Sequence, residues 1–271
     1  MAFEGGPETA VLPLGALPDA RILTDGPDRL LLLAGATTRY AHGALGDTLE
    51  AGVIVLLDMQ ETPVPATTIT IPGEGVVEGI SPIWADLDGD GTREIIVTVS
   101  DPDLGARIVV YDETGQVAAQ GPAVGAGFRW RHQLAVAPFG PEGETELAVM
   151  LTPHIGGTVE FYRMREDTLE IVARLPGPTS HVNGSRNLDM ALAGDLDGDG
   201  RMELLVLSRG LTKLIGVRRT ASGAEEAWSV EAGGRVSTNI AAVETGGGGM
   251  AIGVGHAGGF LRIWPADVND E

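Results

Sequence analysis

Residues 86–94 read DLDGDGTRE, and residues 195–203 read DLDGDGRME. In each stretch three aspartates alternate with Leu and Gly, a second Gly follows, and a glutamate closes the run. A tight turn would crowd Asp86, Asp88, Asp90 and Glu94 together, and likewise Asp195, Asp197, Asp199 and Glu203. Such crowding of like charge is favourable only around a cation. An all-oxygen donor set fits calcium or magnesium, and six or more clustered oxygens favour calcium. Gly91 and Gly200 permit the sharp turn, after which the carbonyls of Thr92 and Arg201 are expected to point inward. A helix–loop–helix calcium site needs Glu at its twelfth position. Here that position is Val97 or Val206, and the flanks read as strands. The motif therefore reads as a nine-position metal loop at the tip of a β-hairpin. A bare, solvated acidic turn is the plain alternative.

Working outward, each loop lies between short apolar runs rich in Val and Ile. The same strand–turn–strand pattern recurs at 19–35, 132–151 and 238–255. The second strands begin near Leu30, Glu94, Glu146, Glu203 and Met250, at gaps of 64, 52, 57 and 47 residues. A third strand follows each pair, at 52–59, 106–112, 158–164, 213–219 and 259–265. A fourth follows in the first four units, at 66–72, 116–121, 168–175 and 226–232. Four-stranded units of this length are β-propeller blades, which stack because one blade cannot cover both of its faces. The expectation is an all-β chain forming one five-bladed β-propeller over residues 1–271. Its blades would span about 16–73, 74–121, 122–175, 176–232 and 233–265. The N-terminal strand 9–15 would supply the fourth strand of the last blade and close the ring. An open sandwich of similar strands is the alternative. The turns of the other three units, 24–29, 138–146 and 244–249, lack the full ligand set.

The twin D-L-D-G-D-G-x-x-E loops, each followed by an EIIVTV or ELLVLS strand, resemble the FG-GAP or VCBS repeats of calcium-containing propellers. The resemblance implies the propeller fold and two structural calcium ions. It does not specify a function, because that family spans adhesion proteins, lectins and enzyme accessory domains.

Composition narrows the partners. The 271 residues carry a net charge of −20, which disfavours nucleic acid and anionic membranes. There is no cysteine, so thiol catalysis and thiolate metal sites are excluded. No apolar stretch reaches transmembrane length. The first residues, MAFEGGPETA, show neither a basic nor an apolar signal region. Calcium loops fill where free calcium is high, so an extracellular or periplasmic protein, its signal removed, is expected.

Strand alternation puts all five histidines on the face opposite the acidic loops: His42, His132, His154, His181 and His256. The same loops carry Tyr40, Phe128, Arg129, Trp130, Arg131, Arg186 and Asn187. Gln133, Asp189 and Asn239 are expected at the pore mouth. One reading is a binding face for a protein or glycan, with Arg131 and Arg186 pairing an anionic group, Trp130 stacking on the ligand, and neutral imidazoles available to a transition metal. Another is carbohydrate chemistry. A lyase would use Tyr40, His132 and Arg131, and a glycosidase would use a carboxylate pair such as Asp189 and Glu78. A third is ordinary loop residues with Trp130 packed between blades. No serine elbow, phosphate loop or H-E-x-x-H motif is present.

Overall fold

The computed structural model describes residues 11–59, 63–245 and 249–265. These form an all-β architecture of 21 strands and a single four-residue helical turn, Pro153–Gly156. The strands fall into five consecutive antiparallel meanders. The first holds β1 (Leu23–Asp25), β2 (Arg29–Thr37), β3 (Glu50–Asp58) and β4 (Val64–Thr70). A two-residue linker strand, β5 (Val76–Val77), pairs with both β3 and the second strand of the next unit. The second unit is β6 (Ile83–Ala85), β7 (Glu94–Ser100), β8 (Arg107–Tyr111) and β9 (Val117–Gln120). The third is β10 (Arg131–Ala137), β11 (Glu146–Leu151), β12 (Thr158–Arg165) and β13 (Thr168–Pro176). A linker, β14 (Pro178–Thr179), pairs with the fourth unit, β15 (Leu192–Gly194), β16 (Glu203–Ser208), β17 (Lys213–Thr220) and β18 (Gly223–Glu231). The fifth has β19 (Ala241–Glu244), β20 (Met250–Gly255) and β21 (Leu261–Trp264).

The units stack face to face, and the period-2 alternation of each strand supplies two apolar faces. In β7 every residue is buried. Ile95, Val97 and Val99 pack against Leu31, Leu33, Ile54 and Leu56 of the first unit. The intervening Ile96 joins Ile108 and Val110 against Leu147, Val149 and Tyr162 of the third. Further on, Met150, Val159 and Phe161 meet Leu204, Val206 and Val217. Leu205, Leu207 and Leu214 meet Ile252 and Val254. A bidentate ion pair joins Arg21, ahead of β1, to Asp189, ahead of β15 (2.6 and 2.7 Å), which brings these parts of the first and fourth units together.

The N-terminal segment takes a different place from the one expected. Its described part lies along β2 rather than β21. Leu17 N–H donates to the Leu33 carbonyl at 3.1 Å, and Gly35 N–H to the Gly15 carbonyl at 2.8 Å. Leu12 and Leu14 cover the outer face of the first unit, over Leu32, Val55 and Leu57. That apolar face, left open by the stacking, offers more burial than the edge of a three-stranded sheet. Residues 9 and 10 of the expected strand, and 246–248 of the fifth turn, lie outside the described residues.

Candidate functional site

The two acidic loops fold alike. In the first, Gly89 and Gly91 N–H donate to the two oxygens of Asp86 (2.7 and 3.0 Å), Asp90 N–H to Asp88 (3.0 Å) and Thr92 N–H to Asp90 (2.6 Å). The second repeats the pattern on Asp195, Asp197 and Asp199, from Gly198, Gly200, Asp199 and Arg201 (2.9, 2.9, 3.2 and 3.0 Å). Gly91 and Gly200 have φ of 90° and 83°, a region costly for any residue with a Cβ. The closing glutamates are buried at the loop base, where Glu94 accepts from Leu87 N–H (2.7 Å) and Glu203 from Leu196 N–H (3.0 Å). Burial raises both carboxyls above the ordinary glutamate range, Leu87 and Leu196 oppose it, and neighbouring aspartates add to it. Within each triad one oxygen per aspartate lies within 4.8 Å of the others. The donor set is hard and preorganised, and it fits a hard divalent cation in both loops.

The loops differ in one neighbour. Arg218 of β17 reaches into the second loop and pairs with Asp197 (2.6 Å), Asp199 (2.9 Å) and Glu203 (3.0 Å). Sequence spacing gave no sign of this contact, because it depends on the β16–β17 register, in which Glu203 faces Arg218.

The opposite face divides the predicted residues into several groups. Trp130, His132, His154 and His181 come together. Trp130 stacks on His132 (4.7 Å between centroids) and on His154 (5.8 Å), and meets His181 edge-on (5.1 Å). This is a packed core under the loops, since Trp130 and His181 are each only 2% exposed. Burial, followed by the neighbouring imidazoles, lowers His132 to about 3 and His154 to about 4, and burial also lowers His181. His132 Nδ1 is 3.0 Å from the Ser180 hydroxyl, and His181 Nε2 is 2.6 Å from the Ser185 carbonyl oxygen. Among the described residues, the only acid or imidazole groupings with metal-ligand spacing are the two aspartate triads. The loop-face imidazoles, read as available to a transition metal, form no such grouping among the described residues.

A second group holds Tyr40 and His42. His42 stacks on Phe128 (5.2 Å) and its Nδ1 lies 2.5 Å from Glu78 Oε1, while the Ser100 hydroxyl donates to Glu78 Oε2. Tyr40 packs edge-on against Phe128, and burial pushes its hydroxyl up to about 12.

Four predicted residues are engaged elsewhere. Arg131 follows Trp130 and precedes His132, so alternation sends it to the other side of β10. There it pairs with Glu160 (3.1 Å) and donates to the Pro122 and Ala106 carbonyls. The expected Tyr40–His132–Arg131 grouping therefore does not form. Arg186 pairs with Asp19 and Asp47, and Asn187 donates to the Ser237 carbonyl at 2.8 Å. His256 stands apart from the other histidines, at the β20–β21 turn, bridged to Val236.

Between the units, Arg21, Glu78, Ser81, His132, Gln133 and Asp189 line a cavity of about 140 Å³. Gln133 and Asp189, expected at a pore mouth, both line this cavity. Asn239 holds Asp189 through its side-chain amide (3.2 Å).

No protein-family model matches this sequence, and no curated protein matches it. Solved structures with a similar course of chain include a protein of unknown function from Bacteroides caccae (12% identity, 90% of this chain and 71% of that one, TM-score 0.45). An exotype rhamnogalacturonan lyase is similar at 14% identity over 98% of this chain and 60% of that one, TM-score 0.47. A rhamnogalacturonan lyase from Bacillus licheniformis is similar at 15% identity over 74% of this chain and 47% of that one, TM-score 0.45. The chain thus spans less than two thirds of either lyase. The functional reading rests on this chain's own side chains.

Proposed function

We propose that this chain is a calcium-stabilised β-propeller of the FG-GAP/VCBS kind, exported from the cell, that binds a protein or glycan through its histidine-bearing loop face. The observation that carries the calcium reading is the identical hydrogen-bond frame of the two acidic loops. Each frame holds three aspartates with an oxygen apiece within 4.8 Å of the others, a crowding of like charge that a bound cation would relieve. Calcium bound there would tie the first strand of a unit to its second. With a site affinity of ~10 µM and free calcium near ~1 mM outside the cell, each ion adds roughly 2.7 kcal/mol to folding. Burial of the second strands on both faces, the Arg21–Asp189 contact between the first and fourth units and the shared cavity at the first strands support a blade arrangement.

Binding is favoured over catalysis because Arg131 is turned away to Glu160, and burial lowers His132 to about 3, which makes it a weak base near neutral pH. A carbohydrate-active reading retains one specific support. Glu78 orients His42 and also borders the cavity that Asp189 lines. One experiment tests the main reading. Melting is followed with and without a calcium chelator, in the native chain and in the Asp88→Ala, Asp197→Ala double variant. Chelation is expected to lower the Tm of the native chain by several degrees, and the double variant should melt low in calcium and ignore the chelator. Equal melting in all four conditions would reduce the loops to bare turns. A glycan screen with product detection on the same material separates retention of a ligand from its cleavage.

A further inference from the structure

We propose that a cleft between the β9–β10 connection and the β11–β12 turn binds an aliphatic carboxylate. The cleft encloses about 640 Å³, within the usual range for a small-ligand site. Arg129, Arg131, Arg174 and Glu160 supply its charged groups, and Val124, Leu151 and Ile155 its apolar wall. In a chain with 38 acidic and 18 basic side chains, this lining has three arginines to one acid.

That acid is already satisfied. Glu160 is wholly buried and accepts from Arg131 Nε (3.1 Å), Arg174 Nε (3.0 Å) and the Tyr162 hydroxyl (2.7 Å). It holds two guanidinium groups in place with only one negative charge. Arg131 is fixed further by the Pro122 and Ala106 carbonyls, both through Nη1. The Nη atoms of Arg174 and Nη2 of Arg131 have no partner among the described residues. Arg129 is exposed, and among the described residues its side chain makes one hydrogen bond, a long 3.5 Å bond to the Val124 carbonyl. The site therefore presents positioned guanidinium donors and two unbalanced positive charges, the arrangement that recognises a planar anion.

The opposite wall decides the body of the ligand. Ile155 is 72% exposed at the tip of the β11–β12 turn. That turn is held by Thr152, which has a left-handed φ of 46° and donates its N–H to the Trp130 carbonyl (2.8 Å). A non-glycine residue kept in that region is strained, and such strain clusters at binding sites. The wall is aliphatic, without an aromatic ring on which a sugar would stack, so it suits a branched or linear hydrocarbon. The net charge of the chain repels polyanions and leaves a singly charged carboxylate as the fitting group.

This inference rests on the loop face being the binding face, and is independent of the calcium loops. Calorimetric titration with N-acetyl-leucine, hexanoate, N-acetyl-leucinamide, acetate and galacturonate tests it. N-acetyl-leucine or hexanoate should bind at millimolar concentration or below, with the amide, acetate and galacturonate each at least about tenfold weaker. Tighter binding of N-acetyl-leucine would mark a peptide C-terminus as the source, and tighter binding of hexanoate a free aliphatic acid. Arg129→Ala, which breaks no ion pair, should weaken binding severalfold at unchanged Tm. The further variant Arg129→Ala, Arg174→Ala should weaken it about tenfold or more. No binding of either acid, equal binding of acid and amide, preference for galacturonate, or unchanged affinity in the double variant would overturn the proposal. None of those failures would alter the melting shift on chelation, so the two readings fail separately.

Discussion

At the residue scale, the two acidic loops should not be equal as cation sites. Arg218 pairs with three carboxylates of the second loop. Continuing the β7–β8 register past Ile95↔Tyr111 puts Asp112 at the corresponding place beside Glu94. Asp112 instead caps its own turn, accepting from Thr114 and Gln116 N–H. The first loop thus keeps its full negative charge, while the second carries a competing cation. Calcium titration should resolve a tighter and a weaker site, and Arg218→Ala should tighten the weaker one by about fivefold, the worth of one partly exposed ion pair. The same variant should melt lower without calcium, since the guanidinium then has no substitute. Two indistinguishable sites in the native chain would argue against this role for Arg218. The nine-residue motif is legible in sequence because its carboxylates and the turn that gathers them are local. Arg218 is not, because 15 residues separate it from Glu203 and only strand pairing joins them.

At the element scale, the strands were legible because two signals agree. Turns rich in Gly, Pro and Asp punctuate runs in which both faces are apolar, and the runs recur with one period. The third and fourth strands of the meanders sit where those runs end, at β3 and β4, β8 and β9, β12 and β13, β17 and β18. The N-terminal strand was misplaced because propensity marks a strand without naming its partner. Close packing inside an element was also hidden. A Cβ on Gly216 of β17 would meet the Trp228 indole of β18 at 2.2 Å, beside the bulge at Gly216/Val217. Gly216→Ala should cost about 1–3 kcal/mol by overpacking, read as a lower denaturant midpoint. Adding Trp228→Leu should recover part of it. A neutral single variant would mean that the indole swings aside freely.

At the scale of the whole molecule, burial sets a pH window. His132, His154 and His181 have folded pKa values below the ordinary 6.5, so their contribution is present above pH 6.5 and is lost as pH falls through about 4 and about 3. Glu50 is shifted the other way. Burial, then the charge on Glu78, raises it from 4.5 to about 8, so its contribution is full below pH 4.5 and is lost as pH rises through 8. Thermal melting against pH should therefore fall on both sides. Glu50→Gln should flatten the alkaline limb while leaving the acid limb in place. An alkaline limb unchanged by that substitution would place its origin in another group. Among the described residues, nothing covers one end of the stack. Val243, Leu261 and Ile263 lie on the side of the fifth unit away from Ile252 and Val254, and all three are more than half exposed.

The sequence by itself determined what depends on neighbours along the chain: the β-meanders, their period, and two acidic loops whose ligands fit within nine residues. Tertiary structure decided what depends on which face meets which. It buried Trp130 with three histidines, turned Arg131 away to Glu160, laid the N-terminal segment on β2 and brought Arg218 to one loop only. The physical reason is that a strand's side chains alternate faces locally, but their environment is set by sheets and loops distant in sequence.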